Sequence, residues 1–595
     1  MVHSVKTVAC AVALAAGGAF AATWTGSEDG FWTNRNNWAE GAVPGRYLDS
    51  SGAETGSYGE IASFTAVLSG NAVTAIDLDG LVSIGGVMLT GGAALPVYVF
   101  GDASGEQVLA IEHLGAFSAA DVAAAPVPTL RCRLGLGAMC DVTASTSYTF
   151  VTNNSAKVLH VGQFGYWPTF RSAHAQMTLN ICGTGNVQLD GRFVGTTSPN
   201  QTVAIYFMNP RTIVNCDLDP ERRHIRKIRP GQDVAGNYSN VTTYPDKRRY
   251  IEIAAGGVLP ISCGSTSRGF DCVYATEFCG DGILQLSCGK TGGSEPYFIH
   301  GDLRFSCTLD VAEQDNKGPG SSGVLSDMWL LGSSSSAYSF YDVYVTGANI
   351  ATGIVTAIGH NNSKSDGTRY PRLVVDSIGK VGESGRLGTG PAIRLGNGTR
   401  LVYTGAGEET DRTVILANGS DTAVGVLEHN GTGVFEWSGV VSQQWQEVTL
   451  ALGGTSAAGA VFSGVLAENP MGEYADPVLN LEKRDAGTWT LTASNTYVGS
   501  TTVKAGTLAI GPAGSIASSS DVVLAGGELV FESAPTARTE TLAKLTLSAA
   551  ATVTLGKNRS LTLAEMPTRS GNEVLDFLLS DLSSVVKVTG AIVRG

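Results

Sequence analysis

Short alternations of apolar and polar residues dominate the chain, and helical spacing is scarce. Leu547 to Leu555, Leu561-Thr-Leu and Val522-Val-Leu are brief β-branched or Leu/Thr runs cut by Gly, Asn or Asp. This pattern predicts an all-β chain. A longer period lies over it: Leu491, Ile510, Phe531 and Leu555 each follow an apolar partner two residues earlier (Trp489, Leu508, Leu529, Val553), at intervals of 19, 21 and 24. A second track, Val503, Val523 and Leu545, runs between them at intervals of 20 and 22. Two tracks in phase are what a chain wound as a β-helix produces, because each turn lays its strands on equivalent strands of the turn before. Gly487, Gly499, Gly506, Gly514 and the pair Gly526-Gly527 fall between the tracks, where a corner that takes a positive φ accepts glycine without steric cost.

The segment from Leu481 to Ile510 resembles the autotransporter-associated β-strand repeat. Lys483, Gly487, Thr488, Leu491, Asn495-Thr-Tyr497, Gly499, Thr501, Val503, Gly506-Thr507 and Leu508 stand at the pattern's positions. It departs within Lys483-Arg-Asp-Ala-Gly487, where the family usually has one more glycine, a change that reads as tuning a corner. Leu401-Val-Tyr-Thr-Gly405 with Asp411-Arg-Thr413, and Leu452-Gly-Gly-Thr455 with Phe462-Ser-Gly464, are similar to degenerate members of the series. Thr23-Trp24-Thr-Gly26, Asp29-Gly30-Phe31-Trp32, Asn36-Asn37-Trp38 and Val43-Pro44-Gly45 resemble the Trp-rich amino-terminal cap of large secreted proteins with such repeats. The resemblance implies a right-handed parallel β-helix passenger outside a bacterial cell, of adhesive or unassigned role. The fold expected is an elongated parallel β-helix, or β-solenoid, of about 20–24 residues per turn; over the whole chain that gives roughly 25 turns at about 4.8 Å each.

The expected organisation is a signal peptide over 1–21, a Trp-rich cap with the first turns over 22–92, and a central solenoid with Cys-containing insertions over 93–394. A repeat-type β-helix over 395–534 and terminal β turns over 535–595 follow. Lys6, the apolar run Val8 to Ala19 and the Ala19-Phe20-Ala21 site make the opening a secretory signal, so the protein is expected to be secreted or held at the cell surface. No stretch is long and apolar enough for a transmembrane helix. Only about 60 residues follow Phe531, fewer than a membrane barrel of eight strands needs, so the chain is not expected to carry its own translocator. Nine cysteines lie beyond the signal. Their closest spacing, Cys272 to Cys279, does not suit a zinc ribbon, and Cys263, Cys272, Cys279 and Cys288 read either as disulfide partners or as small buried residues.

Charged residues are 15% of the chain and the formal net charge is −14, which argues against nucleic acid as a partner. Trp24, Trp32 and Trp38 read as a plug closing the solenoid or as a sugar-stacking platform. Arg222, Arg223, Arg226 and Lys227 belong to a run with five cations in eight residues, which reads as a grip on anionic glycan groups or as a solvated edge. Asp217 with Asp219, and Asp77 with Asp79, share a strand face by their spacing, as acid/base pairs do, but also suit solvated strand ends. No metal, cofactor or catalytic residue is assigned. The expected function is an adhesive or structural role, non-catalytic, with surface glycans or other cell-surface proteins as partners. The alternatives are a polysaccharide lyase or hydrolase, or a glycan-binding protein, on the same fold.

Overall fold

The computed structural model describes residues 20–66, 73–138, 146–166, 176–195, 202–221, 224–230, 248–263, 271–272, 276–288, 297–298, 303–312, 328–331, 342–350, 352, 355–358, 372–396, 398–417, 423–472, 476–569, 571–580 and 582–589. The signal-peptide expectation therefore falls almost wholly outside the described residues. The chain divides into two compact units, Met1–Gln314 and Asp315–Gly595. Strands dominate both, and the described helical segments are two single 3₁₀ turns, Arg35–Asn37 and Gly92–Ala94.

In the first unit a sheet runs through Ala21–Thr23, Ile61–Thr65, Leu81–Thr90, Val108–Ala120, Thr146–Asn153, Gln176–Cys182, Thr202–Phe207 and Ile225–Pro230. A second runs through Leu159–Val161, Val187–Leu189, Arg211–Val214, Arg249–Ile253, Thr276–Cys279 and Leu303–Phe305. Described strand pairings are parallel, except that Arg46–Leu48 runs antiparallel to Glu54–Gly56 and to Leu81–Thr90. Parallel neighbours need a long crossover between them, and here the remainder of each turn supplies it. The interior is an aromatic ladder: Trp24 to Phe64 at 6.0 Å, Phe64 to Phe100 at 5.1 Å and Phe100 to Phe117 at 5.7 Å between ring centroids.

The second unit takes two or three described strands from a turn, two as in Thr501–Val503 and Thr507–Ile510 and three as in Val522–Leu524, Glu528–Phe531 and Arg538–Leu542, and each strand of a turn joins a different parallel sheet. It is a parallel β-helix, as expected. Trp489, Leu508, Leu529 and Val553 lie in register on successive strands, and so do Leu491, Ile510, Phe531 and Leu555. All eight are buried. The second expected track is corrected at its second and third members, Val523 and Leu545. Val503 pairs with Leu524, which pairs with Leu547, while Val523 faces outward. Turns of 19–24 residues run consistently through this carboxyl-terminal part; upstream they recur only in places, as at Ile393 with Val414, an offset of 21. Upstream, Leu427 pairs with Leu452 at an offset of 25, Leu452 with Lys483 at 31 and Val151 with Ile181 at 30, because longer loops are inserted at the corners.

Alternation converts this register into energy. Along Glu528–Phe531 the inward Leu529 and Phe531 are fully buried, and Val530 between them faces out. Leu529→Ala is expected to destabilise the chain by about 2–5 kcal/mol and Val530→Ala by less than about 1 kcal/mol, read by urea denaturation. Equal losses would show that the two faces are not distinguished.

Candidate functional site

The amino-terminal tryptophans are built into a closed plug. Trp38 meets Trp24 and Trp32 edge-on at 5.0 and 4.9 Å, and Phe64 underlies all three at about 6 Å. Each indole N–H is satisfied by a carbonyl: Trp24 by Val73 at 2.9 Å, Trp32 by Pro44 at 3.0 Å and Trp38 by Trp32 at 2.9 Å. At 0%, 0% and 2% exposure these rings offer no face to a sugar, which corrects the stacking reading in favour of the plug.

Short polar residues hold that plug in place. Asp29 accepts hydrogen bonds from Asn34 Nδ2 at 2.7 Å, Asn37 Nδ2 at 2.6 Å and the Phe31 N–H at 3.0 Å. Burial alone would raise its pKa, but the donated bonds prevail and hold the carboxyl below its usual range. Buried Asn37 also accepts from the Glu28 and Asp29 N–H groups through Oδ1. Nearby, Glu112 accepts from the Gly59 N–H at 2.8 Å and Ser83 Oγ at 3.3 Å, and burial pushes its pKa up to about 7.

Of the expected basic contacts, Arg222 and Arg223 lie outside the described residues. Arg226 and Lys227 lie on the strand Ile225–Pro230, where Lys227 pairs with Ala204 beside a register shift. Asp219, just upstream, accepts from the N–H groups of His224 at 2.7 Å and Ile225 at 3.0 Å, and so sets the start of that strand. Asp217 accepts from the Asp219 N–H at 3.3 Å. Asp77 accepts from the Asp79 N–H and from Gln107, and Asp79 accepts from Thr33 Oγ1 at 3.1 Å. The paired spacing thus reflects turn-forming acceptors.

Burial pushes the thiols of Cys132 and Cys307 up to about 12 and those of Cys216 and Cys279 up to about 11, so these four are protonated at neutral pH. Cys279 and Cys307 are free thiols, and Cys263 and Cys288 are register partners on adjacent strands. Among the described residues no cluster of His, Cys, Asp and Glu could hold a metal ion, and no helix is long and apolar enough to cross a membrane.

The densest polar construction joins successive turns at 481–510. Lys483 occupies an interior position, fully buried, and its Nζ donates to the carbonyls of Arg484 at 2.6 Å, Asp485 at 2.8 Å and Ala505 at 3.0 Å. Burial lowers its pKa to about 8. Trp489 Nε1 donates to Gly453 O at 2.8 Å, in the turn before. Asn495 spans three turns: Oδ1 accepts from the Leu466 N–H at 2.9 Å, and Nδ2 donates to Ala493 O at 3.1 Å and Ser515 O at 3.0 Å. Tyr497 and Thr501 join hydroxyls at 2.6 Å, and Ser519 extends the chain to Gly499 O. Gly499 lies so close to the preceding strand that a Cβ would sit 2.2 Å from Leu479 O. Asp485, where the resembled pattern has its further glycine, has a φ of +59°, and its carboxylate accepts from the Gly454 N–H at 3.0 Å. That bond compensates a left-handed conformation glycine would enter freely.

These features define a parallel β-helix whose repeat motif locks turn to turn. Residues 481–510 match the model of the Passenger-associated-transport-repeat family, so this segment carries a passenger-associated repeat. The chain is also similar to the adhesin BmaC autotransporter of Brucella suis biovar 1 (strain 1330), 33% identical over 173 residues. That match covers 28% of this chain and 5% of the relative, so the chain spans a small part of the relative's length. No solved structure matches.

Two outcomes follow from these contacts. Asn495→Ala removes three bonds and leaves the Leu466 N–H unpartnered, while the Ser515 carbonyl keeps the backbone N–H of residue 495, so a loss of about 1–3 kcal/mol is expected in urea denaturation; an unchanged midpoint would contradict the bridging role. Glu112 holds its proton more tightly folded, at about 7, than unfolded, at 4.5. Its contribution is therefore fully present below pH 4.5 and lost as pH rises to 7, on the order of 3 kcal/mol. Glu112→Gln is expected to flatten that part of the stability–pH curve, and a curve of unchanged slope would refute the assignment.

Proposed function

We propose that the chain is an exported, surface-exposed passenger whose role is adhesive and non-catalytic. The observation that carries this reading is the passenger-associated repeat at 481–510, built into the β-helix as the element that joins successive turns. The similarity to an adhesin autotransporter supports the adhesive direction. A β-helix suits the task physically. Its backbone bonds and interior contacts hold the turns, leaving outward side chains and corner loops free to vary without loss of fold. In this reading residues 1–21 are the export address, the mature chain starts near Ala22, and the 93–394 region carries corner insertions. Arg222, Arg223, Arg226 and Lys227 are the proposed contacts to anionic groups of a surface partner.

The reading is tested with beads coated with the full chain and with intact cells producing it. Coated beads are expected to adhere to cultured cells well above albumin-coated beads. External protease is expected to remove the chain from intact producing cells. Beads that do not adhere, or a chain protected from protease until lysis, would reject the proposal.

A further inference from the structure

The last described turn of the second unit presents three strands with one neighbour each. Thr568–Arg569, Leu575–Leu579 and Val585–Val588 end their sheets, paired to Leu545–Leu547, Ala551–Leu555 and Arg559–Leu563, and among the described strands nothing pairs with their other edges. The interior rows stop there without cover. Leu575, Phe577 and Leu579 continue the rows of the buried Ala551, Val553 and Leu555, and Val586 and Val588 continue those of the buried Leu561 and Leu563, yet none of the five is itself buried. Val574, Leu578 and Val585 on the same turn are exposed, and Leu582, at the corner between the two longer strands, is wholly so. Free backbone groups beside an uncovered apolar face are a template for further strands.

The two longer strands are complementary to each other when one is reversed. A second copy turned end over end about a two-fold axis through their corner lays its Val585–Val588 antiparallel to Leu575–Leu579, and the symmetry repeats the contact with the copies exchanged. With Phe577 opposite Val586 of the second copy, Leu575 meets Val588, Asp576 meets Lys587 and Leu578 meets Val585. Residues that continue interior rows then face one another, and the exposed Asp576 and Lys587 form an acid–base match that occurs twice in the pair. A register shift of one residue would set interior positions against exterior ones, and a shift of two would lose the charge match. The same register brings the exposed Leu582 close to the axis, against the matching corner of the second copy. We infer that this turn is a homodimer interface, in which a second copy of the chain covers the open edges by antiparallel pairing of Leu575–Leu579 with Val585–Val588. The interface goes beyond the adhesive reading and does not depend on it.

The full chain is brought to sedimentation equilibrium over about 0.1–100 μM, beside Asp576→Lys, Lys587→Asp and an equimolar mixture of the two variants. The wild-type chain is expected to be dimeric by about 10 μM. Either variant alone sets like charges opposite each other at both contacts and is expected to weaken association about tenfold or more. Both positions are exposed, so circular dichroism is expected to stay unchanged. The mixture joins a chain basic at both positions to a chain acidic at both, and is expected to dimerise again, which a folding defect in either variant would not allow. Leu582→Asp is expected to weaken the wild-type dimer as well. A wild-type chain still monomeric at about 100 μM, a dimer indifferent to both single variants, a mixture no more associated than its components, or assemblies that grow past the dimer would overturn the interface. So would a dimer gained only when residues 590–595 are removed, because the chain's own tail would then be what covers these edges.

Discussion

Parallel pairing between turns is the constraint from which the other features of each unit follow. A strand such as Thr507–Ile510 cannot satisfy its backbone groups alone; it takes one neighbour from Thr488–Leu491 and the other from Glu528–Phe531. Because the pairs are parallel and in register, like side chains stack, and an interior position in one turn meets an interior position in the next. The rows Trp489-Leu508-Leu529-Val553 and Leu491-Ile510-Phe531-Leu555 are the result. In the first unit the aromatic contacts from Phe64 to Phe100 and Phe117 cross between sheets instead, filling the interior that the paired strands enclose.

Corners are where that rule breaks, and buried polar side chains repair them. The chain turns without strand partners there, so its carbonyls and N–H groups need other satisfaction. Lys483 supplies it to three carbonyls, and Asn495 supplies it across three turns. Arg412, fully buried, donates to the carbonyls of Gly379, Lys380, Glu383, Leu387 and Gly388, fixing a looped excursion of the turn before. Removing such a cation would leave several buried acceptors empty, so these residues serve the shape of the chain rather than chemistry on a ligand. The Gln443 amide beneath the Trp445 corner is a smaller instance of the same construction.

How far the fold was legible depended on how unambiguous each apolar position was. Trp489 and Leu491, flanked by threonines, admit one inward face, and their track was read correctly. Val522-Val-Leu is apolar at all three positions, so alternation cannot choose the face, and the expectation of an inward Val523 fails there. Turn length upstream was hidden because a corner loop changes the offset without changing the strands it joins. Trp24, Trp32 and Trp38 showed that the opening was special but not whether the rings faced water or each other. The Asp29, Asn34 and Asn37 bonds that decide the matter join residues whose spacing carries no period.

The central claim is that the chain's stability resides in contacts between turns, and a double-mutant cycle measures it most directly. Ile510 and Phe531 are register partners on successive turns, both fully buried. With Ile510→Val, Phe531→Leu and the double variant compared by urea denaturation, the account expects a coupling energy of about 0.5 kcal/mol or more. Additivity within about 0.3 kcal/mol would mean that the two side chains do not share an interior, and would contradict it.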